Sequence, residues 1–229
     1  MMAGILLASG LSRRFGSQKL LFSPGGGKTL FEQVLSNHLR SGLDPLVVVV
    51  SEGMLDNMKN GKMIGITVHE RGETNESEEG KWLVLATPWG RGRLVVNEDP
   101  ERGMARSLQE GLSVLSEEEK EEGVLISLAD MPGITPSVIE RVVTEYRRRN
   151  AKILVPTYRG QIGHPVVVHE PTFRKEIAEI EGDVGLRHLL RRFWEEVETV
   201  PWGDPSVVMD IDTPSDVEKV FAEGGWEWP

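Results

Sequence analysis

Ala3-Gly4-Ile5-Leu6-Leu7-Ala8-Ser9-Gly10-Leu11-Ser12-Arg13-Arg14-Phe15-Gly16-Ser17-Gln18-Lys19 is the stretch on which the fold turns. Its first part, Ala3 to Ala8, is a continuous apolar run, the pattern of a strand buried on both faces. A loop rich in Gly, Ser and Arg follows. Thr29 to Arg40 then reads as a helix, because Leu30, Phe31, Val34, Leu35 and Leu39 recur at helical spacing and Gly42 lies just past the end. Leu46 to Val50 is a second strand, rich in β-branched residues. Strand, loop, helix and strand in this order predict a parallel sheet with helices packed on its faces.

The same alternation returns further on. Helices are expected over Met104 to Leu115, Ser137 to Arg149, Phe173 to Ile180, Val184 to Phe193 and Pro214 to Phe221. Strands are expected over Val124 to Leu128, Ile153 to Val155, Val166 to Val168 and Val207 to Met209. The connection from Val155 to Val166 is too short for a helical crossover, so mixed strand directions are expected there. Residues 52–97 are the least regular part. Trp82 to Ala86 and Leu94 to Val96 read as two strands joined around Trp89-Gly90-Arg91-Gly92, a hairpin or flap. The acidic run Ser116 to Glu122 reads as a solvated turn.

The chain has 229 residues, no Cys, and 36 acidic against 26 basic side chains, a net charge of −10. That length buries a full core. Without Cys there is no disulfide scaffold, thiolate zinc site or Cys nucleophile. No apolar run approaches the ~18 residues of a membrane span, and Met1-Met2-Ala3-Gly4 has no basic leader character, so a cytoplasmic location is expected. The acidic balance argues against general binding to nucleic acid or anionic membrane. The charge is uneven, however. Residues 1–40 carry five basic side chains against Glu32 alone, and the remainder is strongly acidic. A basic segment in an acidic protein suggests one anionic ligand held at one place.

Three motifs carry chemistry. In the loop after the first strand, Gly10 and Gly16 permit positive φ and close approach of backbone to a ligand. Exposed N–H groups in such a loop form an anion nest. Ser12 adds a hydroxyl, while Arg14 and Lys19 add charge suited to phosphate. Together they describe a triphosphate cradle at the C-terminal end of a sheet strand. Gly25-Gly26-Gly27-Lys28-Thr29 ends like a P-loop but has Phe22 where that motif needs Gly, and it does not follow a strand. No Gly-x-Gly-x-x-Gly follows the first strand, which argues against a dinucleotide-dependent oxidoreductase. Second, Leu128-Ala129-Asp130-Met131-Pro132 puts a carboxylate at the end of a buried strand, on the same sheet edge, as a natural Mg²⁺ ligand. Third, in Met209-Asp210-Ile211-Asp212-Thr213-Pro214, alternation along a strand end would turn Asp210 and Asp212 to one side. One of them would complete the metal site, and the other, or Thr213, would cap the helix starting at Pro214.

These residues, in this order, resemble the molybdenum cofactor nucleotidyltransferases, a group of glycine-loop enzymes. That family opens with a strand and a loop of the form Ala-(Ala/Gly)-Gly-x-Ser-x-Arg-Met-Gly-x-x-Lys, matched here by Ala8, Ser9, Gly10, Ser12, Arg14, Phe15, Gly16 and Lys19. Ser9 and Phe15 depart from it, and neither departure removes a phosphate contact. The family's central Asp-x-Pro matches Asp130 and Pro132, its Asp-Ile-Asp-Thr-Pro matches residues 210–214, and an Asn, Gly, Ser pattern matches Asn97, Gly103 and Ser107. Gly163-His164-Pro165 and Gly182-Asp183-Val184-Gly185-Leu186-Arg187 resemble segments of the cytidylyl-transferring branch.

The resemblance implies a single nucleotidyltransferase domain over residues 1–229, an α/β Rossmann-like three-layer sandwich with a mostly parallel sheet and a smaller antiparallel substrate-side element. Residues 1–52 and 94–150 would form the nucleotide-binding part, 53–93 an inserted hairpin or flap, and 151–229 the acceptor-binding and C-terminal part. It implies Mg²⁺-dependent transfer of CMP from CTP to the terminal phosphate of molybdopterin, with pyrophosphate released and a molybdoenzyme or its chaperone receiving the product. Arg14, Lys19 and Asp130 would be catalytic. Ala8, Ser9, Gly10, Ser12, Gly16, Gly103 and Ser107 would bind nucleotide, His164 and Asp183 (with Arg159 nearby) the acceptor, and Asp130 with Asp212 the metal. Guanylyl transfer to the molybdenum cofactor or a cobalamin precursor, cytidylyl transfer to a sugar or polyol phosphate, and a non-catalytic nucleotide- or cofactor-binding module are the alternatives.

Overall fold

The computed structural model describes residues 1–10, 19–23, 27–70, 82–182, 185–213 and 215–217. At its centre is β1 (Ala3–Ala8), buried along its whole length. It runs parallel to β2 (Leu46–Ser51) on one side and β6 (Val124–Leu128) on the other, with Ile5 opposite both Val47 and Ile126. A run of Ile, Leu and Val suits this position because both faces of the strand are covered by apolar side chains.

The two faces divide the core. Leu6 and Ala8 join α1 (Leu30–Leu39), α2 (Glu52–Lys59) and α5 (Pro136–Arg149) in one cluster. Ala3, Ile5 and Leu7 join α3 (Met104–Ser113), α6 (Glu170–Ala178) and α7 (Leu186–Arg192) in the other. This period-2 division of one strand between two helix layers produces the expected three-layer sandwich. Among the described residues no helix is long and apolar enough to cross a membrane.

The sheet order is β10 (Val197–Pro201), β7 (Ile153–Tyr158), β9 (Val166–Val168), β6, β1, β2, β5 (Gly90–Asn97), β4 (Leu83–Thr87) and β3 (Thr67–His69), with β8 (Gln161–Ile162) paired to β7. As anticipated from the short connection, β9 (Val166–Val168) is antiparallel to both β6 and β7. The hairpin of β4 (Leu83–Thr87) and β5 (Gly90–Asn97) turns at Pro88-Trp89, so of the expected Trp89-Gly90-Arg91-Gly92 only Trp89 lies in the turn and the other three open β5. It extends the main sheet instead of standing off as a flap: β5 pairs in parallel with β2, and β3 (Thr67–His69) adds a last strand.

Several local readings are corrected. Ser116 to Glu122 contains a short helix, α4 (Glu117–Glu121), because Ser116 and Glu119 satisfy each other's backbone N–H groups in a capping box. α2 starts from Ser51, whose hydroxyl accepts from Met54 N. β10 (Val197–Pro201) is an edge strand parallel to β7, half-exposed and so without a continuous apolar signature. Val207 to Met209 is not a strand: Pro205–Val207 form a 3₁₀ turn that opens with Asp204 accepting from Ser206 N. Of the expected helix Pro214 to Phe221, residues 215–217 are helical and the rest lies outside the described residues.

Candidate active site

The ends of β1, β5 and β6 bring three distant sequence segments to one sheet edge. β1 ends at Ala8, followed by Ser9, whose hydroxyl lies 2.6 Å from that of Ser107 on α3. Asn97, the last residue of β5, donates to the same Ser107 hydroxyl at 2.9 Å, and its Oδ1 accepts from Asp99 N. All three side chains are buried. This network joins the start of the loop to the start of α3. The Ser9 and Ser107 hydroxyls are bonded to protein instead of pointing outward. Gly103 caps α3 with φ 86° and ψ −173°, a conformation that side-chain-bearing residues rarely adopt. Gly10 does not use positive φ, and the space a side chain would occupy there is open. Ser12, Arg14 and Gly16 lie outside the described residues, as does Asp183.

One step along the edge, Lys19 joins the two acidic motifs. Its Nζ donates to Asp130 Oδ2 at 2.8 Å and to Asp212 Oδ1 at 3.0 Å. The Lys19 side chain is only 10% exposed. Burial works to lower its pKa, but the charge and hydrogen bonds of Asp130 and Asp212 outweigh this and hold it above its usual value. The ammonium therefore stays charged. Backbone contacts set the spacing of the acids: Ala129 N donates to Leu7 O, fixing Asp130 beside β1, and Ile211 N donates to Asp130 O, fixing Asp212 beside it. Gly133 and Gly163 let the Pro205–Val207 turn come close. A Cβ on either would fall 2.5 Å from Ser206 O or 2.3 Å from Val207 O.

Asp130 Oδ1 is buried and, among the described residues, has no hydrogen-bond partner. A shut-in carboxylate oxygen with a free lone pair is costly unless something coordinates it, and a hard divalent cation is the natural occupant. Among the described residues no three acidic or His side chains converge closely enough to hold a metal alone. Asp130 and Asp212 thus fit a cation that takes further oxygens from bound phosphates, as Mg²⁺ commonly does. Asp210 stands apart from the pair. Partial burial, then the charges of Asp130 and Asp212, push its carboxyl above the usual range.

Asp210 also lines a cavity of about 640 Å³ beside the acids. Met104 and Leu108 of α3, Leu186 and Leu190 of α7, and Trp194 give it an apolar body. His164 forms part of its wall. Burial holds the imidazole pKa below its usual value despite the nearby Asp130 charge, so the ring is neutral at pH 7. Its backbone N–H donates to Val207 O. Its Nδ1 is buried and lacks a partner among the described residues. Arg159 does not reach the cavity; it sits at the β7–β8 turn with its guanidinium 5.1 Å from the Tyr158 ring centre.

Comparison with known proteins now places the chain. Residues 4–199 match the model of the MobA-like NTP transferase domain. The chain belongs to the MobA-like NTP transferase family. It is a nucleotidyltransferase. No curated protein matches it. Among solved structures, Rv0371c from Mycobacterium tuberculosis H37Rv is 24% identical with a TM-score of 0.73, over 96% of this chain and 97% of that one. A second structure of Rv0371c is a complex with manganese, 19% identical with a TM-score of 0.67, over 96% and 98%. The homologue of Rv0371c from Mycobacterium sp. strain JC1 is 27% identical, TM-score 0.71, over 96% and 95%. Molybdopterin-guanine dinucleotide biosynthesis protein A from Archaeoglobus fulgidus is 16% identical, TM-score 0.60, over 97% of each chain.

The cavity is also lined by residues that the sequence motifs do not single out. Arg191, one turn beyond Arg187 on α7, and Trp194, in the 3₁₀ turn just past that helix, line the cavity. The signal for Arg191 is its i, i+4 spacing from Arg187 beside the apolar Leu186 and Leu190. Asp216 accepts from Asp212 N, Thr213 N and the Thr213 hydroxyl, fixing the acidic motif from behind. The pattern Thr213-x-x-Asp216 is a capping signature and would have revealed it. Thr29, the end of the rejected P-loop look-alike, spends its hydroxyl capping α1.

Proposed function

We propose that this MobA-like enzyme transfers CMP from CTP to the terminal phosphate of molybdopterin, with Mg²⁺ held by Asp130 and Asp212. The observation that supports this most is the Asp130–Lys19–Asp212 bridge at the edge where β1 and β6 end, next to a cavity roomy enough for a pterin-sized acceptor. A phosphate monoester has a second pKa near ~6, so the attacking oxygen is largely ionised at pH 7 and needs no general base. That oxygen attacks the α-phosphorus of CTP. The bond from this phosphorus to the oxygen bridging the β-phosphate breaks, and pyrophosphate leaves with the electron pair. Catalysis then consists of in-line positioning and charge stabilisation.

Lys19, Arg14, Ser12 and the amides of Gly10 to Gly16 are assigned to the triphosphate and its leaving pyrophosphate. Ala8, Ser9, Gly103 and Ser107 shape the floor under the nucleotide, and His164 and Asp183 face the acceptor. When bound, the cation neutralises charge developing on the phosphates. Asp130 and Asp212 hold it, and Lys19 keeps the two carboxylates together against their mutual repulsion. The choice of CTP rests on the likeness of Gly163-His164-Pro165 and of residues 182–187 to the cytidylyl-transferring branch. The test is pyrophosphate release from purified protein with Mg²⁺, molybdopterin and either CTP or GTP. Release with CTP supports the reading. Release with GTP alone replaces the nucleotide, and release with neither sinks the acceptor assignment.

A further inference from the structure

The Asp130–Lys19–Asp212 bridge contains a conflict. The two carboxylates fit a divalent cation, yet Asp130 Oδ2 and Asp212 Oδ1 both already accept from one ammonium, at 2.8 and 3.0 Å. A divalent cation and an ammonium sharing those oxygens would stand side by side, where like charges repel strongly. The bridge also sets two negative charges against one positive, so Lys19 fills the cation's place without cancelling the charge that draws a cation in. The Lys19 backbone is fixed. It opens the 3₁₀ turn Lys19–Leu21, its carbonyl accepts from Phe22 N at 3.1 Å, and Leu30 N donates to Phe22 O at 2.9 Å. Leu20 is buried in the core cluster of α1. Any change of partner therefore falls to the four-carbon stem, at whose end an ammonium can pass from one acceptor to another.

Displacing that ammonium has a condition. The Lys19 side chain is only 10% exposed. An ammonium driven off the carboxylates must find other anionic oxygens or stay unpaired where water solvates it poorly, which is costly. A free divalent cation brings no such oxygens. A triphosphate brings several, and together with its cation it supplies both halves of an exchange: phosphate oxygens for Lys19 and metal charge for Asp130 and Asp212. Asp130 Oδ1, buried and without a partner among the described residues, is an oxygen that Lys19 does not engage. One oxygen alone makes a weak site, and the pair becomes available only when Lys19 withdraws. We propose that Lys19 is a resident counter-ion for Asp130 and Asp212, which keeps free divalent cation out of the pair and yields it to a cation arriving on a triphosphate. Metal and nucleotide are thereby loaded together. This concerns the regulation of the site proposed above and rests on the reading of Asp130 and Asp212 as the cation's ligands, whichever nucleotide or acceptor is used.

The test measures binding without transfer. Mn²⁺ is titrated into the full chain, and the free ion is counted by electron paramagnetic resonance. Without nucleotide, K19Q and K19M should bind Mn²⁺ about tenfold or more tightly than the wild type, because the competing charge is gone. Mn²⁺ alone should raise the thermal midpoint of both variants and hardly move that of the wild type. With Mn²⁺ saturating, whichever of α,β-methylene CTP and α,β-methylene GTP the wild type binds should be bound more weakly by both variants. A folding defect would weaken both affinities, so changes of opposite sign separate exchange from damage. A wild type that binds Mn²⁺ alone as tightly as K19Q and K19M overturns the proposal. Variants that bind it more weakly also overturn it, since Lys19 would then organise the acids for the cation. Loss of the gain in K19Q/D130N identifies Asp130 as a ligand that Lys19 guards. If the gain persists there, the ion is held elsewhere, and the reading of Asp130 as its ligand falls together with the proposal. If K19Q shows no gain while D130N loses Mn²⁺-dependent binding of the analogue, that reading stands and the counter-ion role alone falls. Binding of neither analogue would count against the nucleotide reading and leave the Mn²⁺ titrations to decide.

Discussion

Glu32 at the start of α1 and Asp130 at the end of β6 are both acids set into the protein, and they are held in opposite ways. Glu32 is 1% exposed, and each of its oxygens accepts a backbone N–H, from Thr29 at 2.7 Å and from Ile64 at 2.6 Å. It closes the capping box of α1 and ties the 60s segment to that helix. Both oxygens are engaged by backbone. Asp130 gives one oxygen to the Lys19 ammonium and leaves the other buried without a partner among the described residues. A carboxylate saturated by backbone is a strut. A carboxylate that shares one oxygen with a lysine ammonium and leaves the other unsatisfied is poised for exchange. Burial alone would have ranked Glu32 as the more unusual acid, yet the bonding pattern points to Asp130.

Substitution should separate the two most widely. D130N keeps the shape of the side chain and removes the charge that Lys19 and a cation need. Turnover should fall by about a thousandfold or more, the scale of losing a group that acts in the transition state. The thermal midpoint should move by no more than about 5 °C, because Lys19 retains Asp212. A D130N protein with near-wild-type pyrophosphate release would remove Asp130 from the chemistry. E32Q should do the reverse. One of the two N–H groups would face an amide donor and lose its charged acceptor, costing about 2–3 kcal/mol in urea unfolding. Turnover per folded molecule should stay within about twofold. A stable but inactive E32Q would break the distinction.

The same contrast explains which parts the sequence made legible. β1, β6 and α1 follow from unbroken or periodic apolar patterns, because burial on both faces or along one stripe writes itself into residue type. β10 and α2 escaped, since a half-exposed edge strand and a helix with buried Met54 and Met58 carry too little of that pattern. At the site, Lys19, Asp130 and Asp212 were each readable from their motifs. Their mutual bridge was not, because it joins positions 111 and 193 residues apart and depends on how β1, β6 and the C-terminal segment meet. The Asp210–Asp212 motif was expected to ride on a strand end. It is positioned instead by the Ile211–Asp130 backbone bond and by the carboxylate of Asp216. Arg191 and Trp194 escaped because only the fold of α7 against α3 makes a cavity beside them.

His38 supplies a third kind of buried polar group, and the smallest effect. It is fully buried on α1, with Nδ1 2.8 Å from Val34 O and Nε2 without a partner among the described residues. Desolvation by burial pulls its pKa from 6.5 down to about 4, only partly offset by the Val34 hydrogen bond. The folded protein therefore holds it neutral while the unfolded chain protonates it first. As pH falls through 6.5 the unfolded state binds the extra proton and stability declines, and the decline levels off near pH 4, where the folded state also takes the proton. Between pH 8 and pH 5 this one group should withdraw about 2 kcal/mol. Urea unfolding of the wild type and H38Q at the two pH values isolates it, since the variant cannot titrate there. The difference between the two proteins should shrink by about that amount at pH 5. An unchanged difference would mean that His38 is protonated in its burial site. The unpartnered Nε2 would then have found an acceptor, and α1 would hold a charged, exchangeable group of the kind so far confined to the sheet edge.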